Sequence, residues 1–372
     1  ERTGEGHNTL ARYHYSADND LIAVEDAGGD AERFAYQNHI ITQRTLRTGY
    51  SFYFQWDQLT PKARCLRQWG DPVRPGAEPT YDYRFEWDTQ ARITRSTDSN
   101  GGVREVHYNP SGQVLRETDP LGHTTHHEYD RNGRKAKTID ALGHEHNYYY
   151  DDVGNPTGQT DSAGGGFTLL YDEQHRPTCF TDAVGNSWTR EYNDDGLISK
   201  TIDAEGNETH YFYNAQGLPE VIINPKGEKQ ILAWAPNGQR LTRAEEGVEP
   251  TQYQYDHHGH VAQVQQGSHT TRYQHNAKGD VTAIHYPDGG RAGLTYNANR
   301  QLTAYTDPLG RTTRFEYDGL AQVTQRIDPA GNSLHYHYDR ERNLIGLTNE
   351  NGEHYQLQYD ACERLIQEIG FD

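Results

Sequence analysis

Several groups of side chains in this 372-residue sequence have the types and spacing that chemistry uses. The run His257-His258-Gly259-His260 could ligate a metal through imidazole nitrogens. So could His144 and His146, two residues apart and hence on one face of a strand. Its 54 Asp and Glu residues offer many pairs that could be drawn as general acid and base. Gly164-Gly165-Gly166 has the composition of a phosphate-binding loop, and Cys65, Cys179 and Cys362 are three thiols.

Each group also has a structural reading, and the spacing favours it. The histidine run fills the slot of a turn that recurs along the chain, with no Cys or further ligand beside it in the sequence. The glycine run replaces another such turn and lacks the Lys-Ser/Thr of a phosphate loop. Three distant cysteines with no C-x-x-C make neither a disulfide framework nor a zinc knuckle. The calcium-binding G-G-x-G-x-D nonapeptide is absent. The carboxylates recur periodically at turn positions, as capping residues do. The sequence therefore assigns no catalytic, cofactor-binding or metal-ligating residue.

The turns belong to a repeat. Trp87, Tyr108, Tyr129, Tyr150, Tyr171, Tyr192, Tyr213, Trp234 and Tyr255 follow one another at steps of 21 residues. Tyr15, Tyr36 and Trp56 precede them, and His275, Tyr296, Tyr317, Tyr338 and Tyr359 follow, giving 17 anchors with 13 of 16 steps at 21. A fixed period of this length marks a repeat architecture. The next residue is Asp or Asn in 14 of the 17 units and opens a turn, as in the D-x-x-G of Asp130–Gly133; a second turn follows about ten residues later. Asp119 and Gly122, Asp140 and Gly143, Asp307 and Gly310, and Asp328 and Gly331 bound four of these second turns. Pro120, Pro308 and Pro329 stand at the second position, which type I turns favour.

About six residues separate the turns, a usual strand length. In Thr209-His210-Tyr211-Phe212-Tyr213 alternate residues share a face, and no long stretch has helical spacing. The expectation is all-β: tandem 21-residue hairpins in one long, coiled antiparallel sheet. Seventeen hairpins make about 34 strands and a ribbon about 160 Å long, which would measure about 50 Å across if it closed once. Residues 1–86, with the Pro/Gly-rich stretch Gln68–Gly76, read as an irregular lead-in, and 87–372 as the regular array.

Composition narrows the function classes. A mean hydropathy of -1.03 and a net charge of -19 would suit disorder, but 27 Tyr and the strict period point to a folded chain. The negative charge disfavours non-specific nucleic-acid binding, and no apolar run is long enough to span a bilayer. No Met occurs even at position 1, as expected of an internal piece of a longer polypeptide.

Tyr108-Asn109-Pro110-Ser111-Gly112, Thr118-Asp119-Pro120-Leu121-Gly122, Thr125 and Tyr129-Asp130 together resemble the YD repeat of the Rhs family. The resemblance runs from about Tyr15 to Asp360. Gly49–Asp57 and Ala63–Asp71 are similar to the start of Rhs repeats in bacterial type VI secretion effectors. It implies a hollow β-shell that encapsulates the polypeptide's own C-terminal toxin domain, a structural rather than enzymatic role. The protein would be made in the bacterial cytoplasm and delivered to competing cells, with a secretion spike protein, a chaperone and an immunity protein as further partners. The family's cleavage region carries Asp-Pro-x-Gly-Leu. Here Asp119–Gly122 and Asp307–Gly310 are followed by His123 and Arg311, so both read as turns and no protease role is carried over. The tyrosine ladder reads as structural; the alternative is an extracellular adhesion module binding glycans through that face.

Overall fold

Between consecutive turns lie segments of five or six residues rich in Thr, Tyr, Val and Ile, which suit a pleated, half-buried surface. Each is a strand in the computed structural model, which describes residues 2–3, 6–7, 10–74 and 76–371. Among the described residues there is no helix, and so none long and apolar enough to cross a membrane. Apart from the short pair Arg2–Thr3 and Gly6–His7, 34 strands from Ala11–Tyr15 to Leu365–Ile369 form one antiparallel sheet in sequence order. The ladder does not close: among the described pairings Ala11–Tyr15 meets only Leu21–Asp26, and Leu365–Ile369 only His354–Tyr359. The strand number is that of the 17 hairpins read from the anchors.

Asp and Gly bound hydrogen-bonded turns. The Gly122 amide donates to the Asp119 carbonyl at 2.9 Å, and the Asp119 amide to His123 at 2.9 Å. Gly122 takes a φ of 86°, a left-handed conformation that costs a Cβ-bearing residue about 1–2 kcal/mol. The sequence reading did not anticipate that other residues fill this slot at His175, Arg300, Ala321, Arg342 and Glu363, with φ between 62° and 73°.

Most hairpins also carry a bulge that strict alternation hides, although the Trp87 hairpin pairs without one. Glu128 faces Lys137 but Tyr129 faces Lys135, so Ala136 is extra. The same slip leaves Thr178, Ser199, Thr324 and Ile345 unpaired in their repeats. A bulge bends its strand and sharpens the local twist.

Burial differs from that of an ordinary domain. Among the described residues only Tyr50, Leu232, Ala283 and Ala292 are buried apolar side chains. The chain exposes 22798 Å², against about 15,000 Å² for a compact chain of this mass. Most side chains on the anchor face are half-buried against one another, while the opposite face is wetter. In the strand Glu208–Tyr213, Thr209, Tyr211 and Tyr213 are half-buried, and Phe212 on the other face is 51% exposed.

Two compact units are present. The first comprises Glu1–Gln113, Glu117–His123 and Arg272–Asp372, and the second Val114–Arg116 and Thr124–Thr271. The second is a plain meander carrying a chain of rings, Phe167 to Phe180 at 5.4 Å and Phe180 to Trp188 at 5.5 Å. In the first, an N-terminal arm and a C-terminal arm meet at their turns.

Candidate functional site

The anchor residues are hydrogen-bond donors as well as apolar bodies. The hydroxyls of Tyr129, Tyr150, Tyr171, Tyr192 and Tyr213 donate to the carbonyls of Val114, Lys135, Pro156, Pro177 and Ile198, at 2.7 to 3.0 Å. Tyr255, Tyr317, Tyr338 and Tyr359 repeat the bond to Arg240, Leu302, Val323 and Leu344. Each partner lies 15 residues earlier, at the first residue of the strand before the anchor's own. Trp234 reaches Pro219 at the same distance in sequence through its indole N–H, and Trp87 reaches Cys65. This explains why 16 of the 17 anchors are Tyr or Trp, His275 being the exception, and none is Phe. Burial pushes the phenols of Tyr213, Tyr317 and Tyr338 upward, which keeps them as neutral donors. Tyr108 and Tyr296 end their strands at the equivalent positions.

The turn carboxylates are clamped. Asp172 accepts the amides of Gln174 and Arg176 on one oxygen and the Arg176 guanidinium on the other, at 2.7 Å. That guanidinium lies 4.4 Å from the centre of the Tyr192 ring, so turn and next anchor form one assembly. Asp140, Asp307 and Asp328 are held alike by His144, Arg311 and Asn332. At Asp119 burial works upward, but the His123 amide and ring, Cys362 and the Leu121 amide prevail and bring its carboxyl down to about 2. A carboxylate so depressed is a poor proton shuttle near neutrality.

The groups that could do chemistry are mostly kept apart or occupied. His144 sits in a turn on Asp140, whereas His146 lies within the strand Glu145–Tyr150 opposite Thr138, so the pair does not converge. The rings of His257 and His258 lie 3.7 Å apart in their turn, and His260 meets Asp256 at 3.3 Å. Gly164 closes the turn opened by Asp161, and Gly166 enters the following strand. The three cysteines are separate thiols.

What the sequence reading missed is a line of contacts inside the first unit, where turns 239 to 271 residues apart meet. Lys278, nearly buried, pairs with Asp26 at 3.0 Å and with Asp30. Thr48 donates to the Gly319 carbonyl at 2.6 Å. Arg340 donates to the carbonyls of Pro79 and Ser99, at 2.9 and 3.1 Å. The buried Glu341 accepts the Tyr83 hydroxyl at 2.7 Å, and burial followed by that carboxylate pushes the Tyr83 phenol up. The loop Asp71–Pro79 supports this line: Asp71 accepts the Tyr50 hydroxyl on its carbonyl at 2.6 Å, and Thr80 and Asp82 are buried. Beside it, a cleft of about 330 Å³ is lined by Asp98, Asp339, Asp360 and Glu363. Burial, then Glu341, Asp98 and Asp339, push the Glu363 carboxyl up. Turns 318–321, 339–342 and 360–363 lie on it or on its cleft and lack the final Gly of D-x-x-G; turns 172–175 and 297–300 lack it too, so the missing glycine alone does not mark the line.

Four segments, 108–145, 192–229, 255–291 and 296–333, match the RHS Repeat family. No curated protein matches the sequence. Among solved structures, the chain is similar to TcdB2-TccC3, with 13% identity and a TM-score of 0.47 over 96% of this chain and 28% of that one. It is also similar to TcdB2-TccC3-Cdc42, with 12% identity and a TM-score of 0.49, and to the Photorhabdus luminescens Tc holotoxin pore, with 12% and 0.47. It covers 96% of its own length in both and 30% of theirs, so it spans less than a third of the chains it resembles. The matched segments coincide with hairpins whose anchors, clamped carboxylates and turns have just been described, and the chain carries four RHS repeats.

Proposed function

We propose that this chain forms part of the wall of a hollow β-shell that encloses a toxic effector domain of the same polypeptide. The observation that carries the reading is the one-layer sheet: 34 strands with four buried apolar residues among those described, and about half again the surface of a compact chain. Such a sheet is built to separate two sides. It does so without a packed core, because each hairpin is tied to the next by its anchor hydroxyl and clamped carboxylate. The role is structural; the toxin's chemistry would reside in the cargo. Synthesis in the bacterial cytoplasm, delivery to competitors by a type VI machine, and partners such as a spike protein, a chaperone and an immunity protein complete the proposal.

Small-angle scattering with circular dichroism tests it. A β-rich, curved or hollow particle about 50 Å across is expected for about 34 strands at 4.8 Å spacing. A straight rod would overturn the container and favour an adhesive stalk. The exposed rings of Phe180 and Trp188 are what a glycan-binding face would use, so a glycan array separates the readings. Reproducible sugar binding lost in Trp188→Ala would count against pure containment.

A further inference from the structure

The sheet has two open edges, and they match. Of its 34 strands, only Ala11–Tyr15 and Leu365–Ile369 are exposed at every residue. Among the described residues each pairs on one side alone, Ala11–Tyr15 with Leu21–Asp26 and Leu365–Ile369 with His354–Tyr359. An open edge presents a row of backbone N–H and C=O groups, a template for another strand. Both edges carry exposed apolar side chains, Leu10, Tyr13 and Tyr15 on the first and Leu365, Ile366 and Ile369 on the second. The two strands also differ in kind. Ala11–Tyr15 ends in an anchor, whereas Leu365–Ile369 follows one, and these two kinds alternate along the array. A strand that continues the pattern beside Leu365–Ile369 therefore ends in an anchor.

We propose that the two edges dock on each other between copies of this chain, with Ala11–Tyr15 of a second copy adding antiparallel to Leu365–Ile369. The repeat sets the register. In the last complete pair of units Thr348 faces His354 and Gly346 faces Gln356. Ile369 and Gln367 stand 21 residues after Thr348 and Gly346. Leu10 and Arg12 stand before Tyr15 as His354 and Gln356 stand before Tyr359. Ile369 then faces Leu10, and Gln367 faces Arg12. The anchor bond fits the same register. The Tyr359 hydroxyl donates to the Leu344 carbonyl, and Leu365 is the residue equivalent to Leu344 in the next unit. Tyr15 has no such bond among the described residues; docked, its hydroxyl donates to the Leu365 carbonyl of the neighbouring copy. The fitting occupant is a second copy because this sequence supplies both the strand direction and the anchor donor. A contact between two unlike patches is heterologous, so it closes into a ring or runs on as a filament.

The test is sedimentation velocity of the whole chain over a range of concentrations. Oligomers that grow with concentration are expected. Leu10→Lys/Ile369→Lys sets like charges directly opposite and should leave monomers, and Leu10→Lys/Ile369→Glu should restore assembly. Tyr15→Phe should weaken association about 2- to 10-fold through the lost hydroxyl donor. These side chains are exposed, and circular dichroism confirms that the variants fold. The register is read by oxidation. Leu10→Cys/Ile369→Cys should form disulfides between chains, whereas Leu10→Cys/Glu368→Cys, with side chains on opposite faces, should not. A monomeric parent, assembly of Leu10→Lys/Ile369→Lys, or a Leu10→Cys/Ile369→Cys disulfide closed within one chain would overturn the proposal. The Leu10→Lys/Ile369→Lys variant also supplies the monomer on which scattering tests the shell, so the two readings fail separately.

Discussion

Tyr192 offers the cleanest separation of what an anchor contributes. Its hydroxyl donates to the Pro177 carbonyl at 2.7 Å, and its ring lies under the Arg176 guanidinium at 4.4 Å. Tyr192→Phe keeps the ring, its burial and the cation above it, and deletes only the donor. A net hydrogen bond is worth about 0.5–1.5 kcal/mol, and the orphaned carbonyl places the loss toward the upper part of that range. Tyr192→Trp restores a donor, as Trp234 does for Pro219, and should recover most of the loss. Tyr192→Leu removes donor and ring together and adds about 0.5–1 kcal/mol for the cation–ring contact. In a repeat array the damage stays with nearest neighbours. The assay is native-state hydrogen exchange read by peptide. A loss of about 1 kcal/mol speeds opening of residues 177–202 about fivefold, while distant hairpins exchange as before. If Phe exchanged like the parent, or Trp no more slowly than Leu, the donor role of the anchors would be refuted.

Other perturbations probe the turns and the contacts of the first unit. Gly310→Val places a branched side chain at a φ of 79° and should cost about 1–2 kcal/mol locally; a single cooperative loss of the whole array by denaturant would contradict independent repeats. Asp307 is held below the usual carboxylate range by the amide and guanidinium of Arg311. Its stabilising contribution is therefore present above the unfolded value, about pH 4, and lost as pH falls below it. The urea midpoint of Asp307→Asn should lie below the parent's at pH 7 and converge with it at about pH 2; a constant gap would refute the clamp. Glu363 has the opposite sign. Its raised carboxyl means the parent gains stability as pH falls through the folded value, so Glu363→Gln should be more stable than the parent at pH 7.5 and should lack that gain.

Much of this was legible because the period acts on residues whose roles are local. Asp119 with Gly122, or Asp307 with Gly310, specify a turn from four adjacent residues, and the spacing of the Tyr anchors counts the hairpins. The donor role of the anchors was legible in principle, since Tyr or Trp fills 16 of the 17 anchor positions and Phe none. The bulges at Ala136 and its equivalents were not, because an extra residue opposite an anchor changes register without changing composition. Nor were the pairings of Lys278, Arg340 and Glu341, which join residues about 12 repeats of 21 residues apart. No periodic pattern can announce such partners.

The contacts inside the first unit also bear on how such a gene can change length. Most hairpins are self-sufficient, so duplicating or deleting a whole 21-residue unit would leave every neighbour with the bonds it had. A single-residue insertion in a strand would instead exchange its two faces. Copy number is not free everywhere, however. Asp26 and Asp30 must find Lys278, and Tyr83 must find Glu341, so gaining one unit anywhere between would bring the wrong turn opposite each. Units can come and go outside that interval far more readily than within it. The contacts of Lys278 and Glu341 therefore act as a molecular ruler, fixing the number of repeats between the two arms.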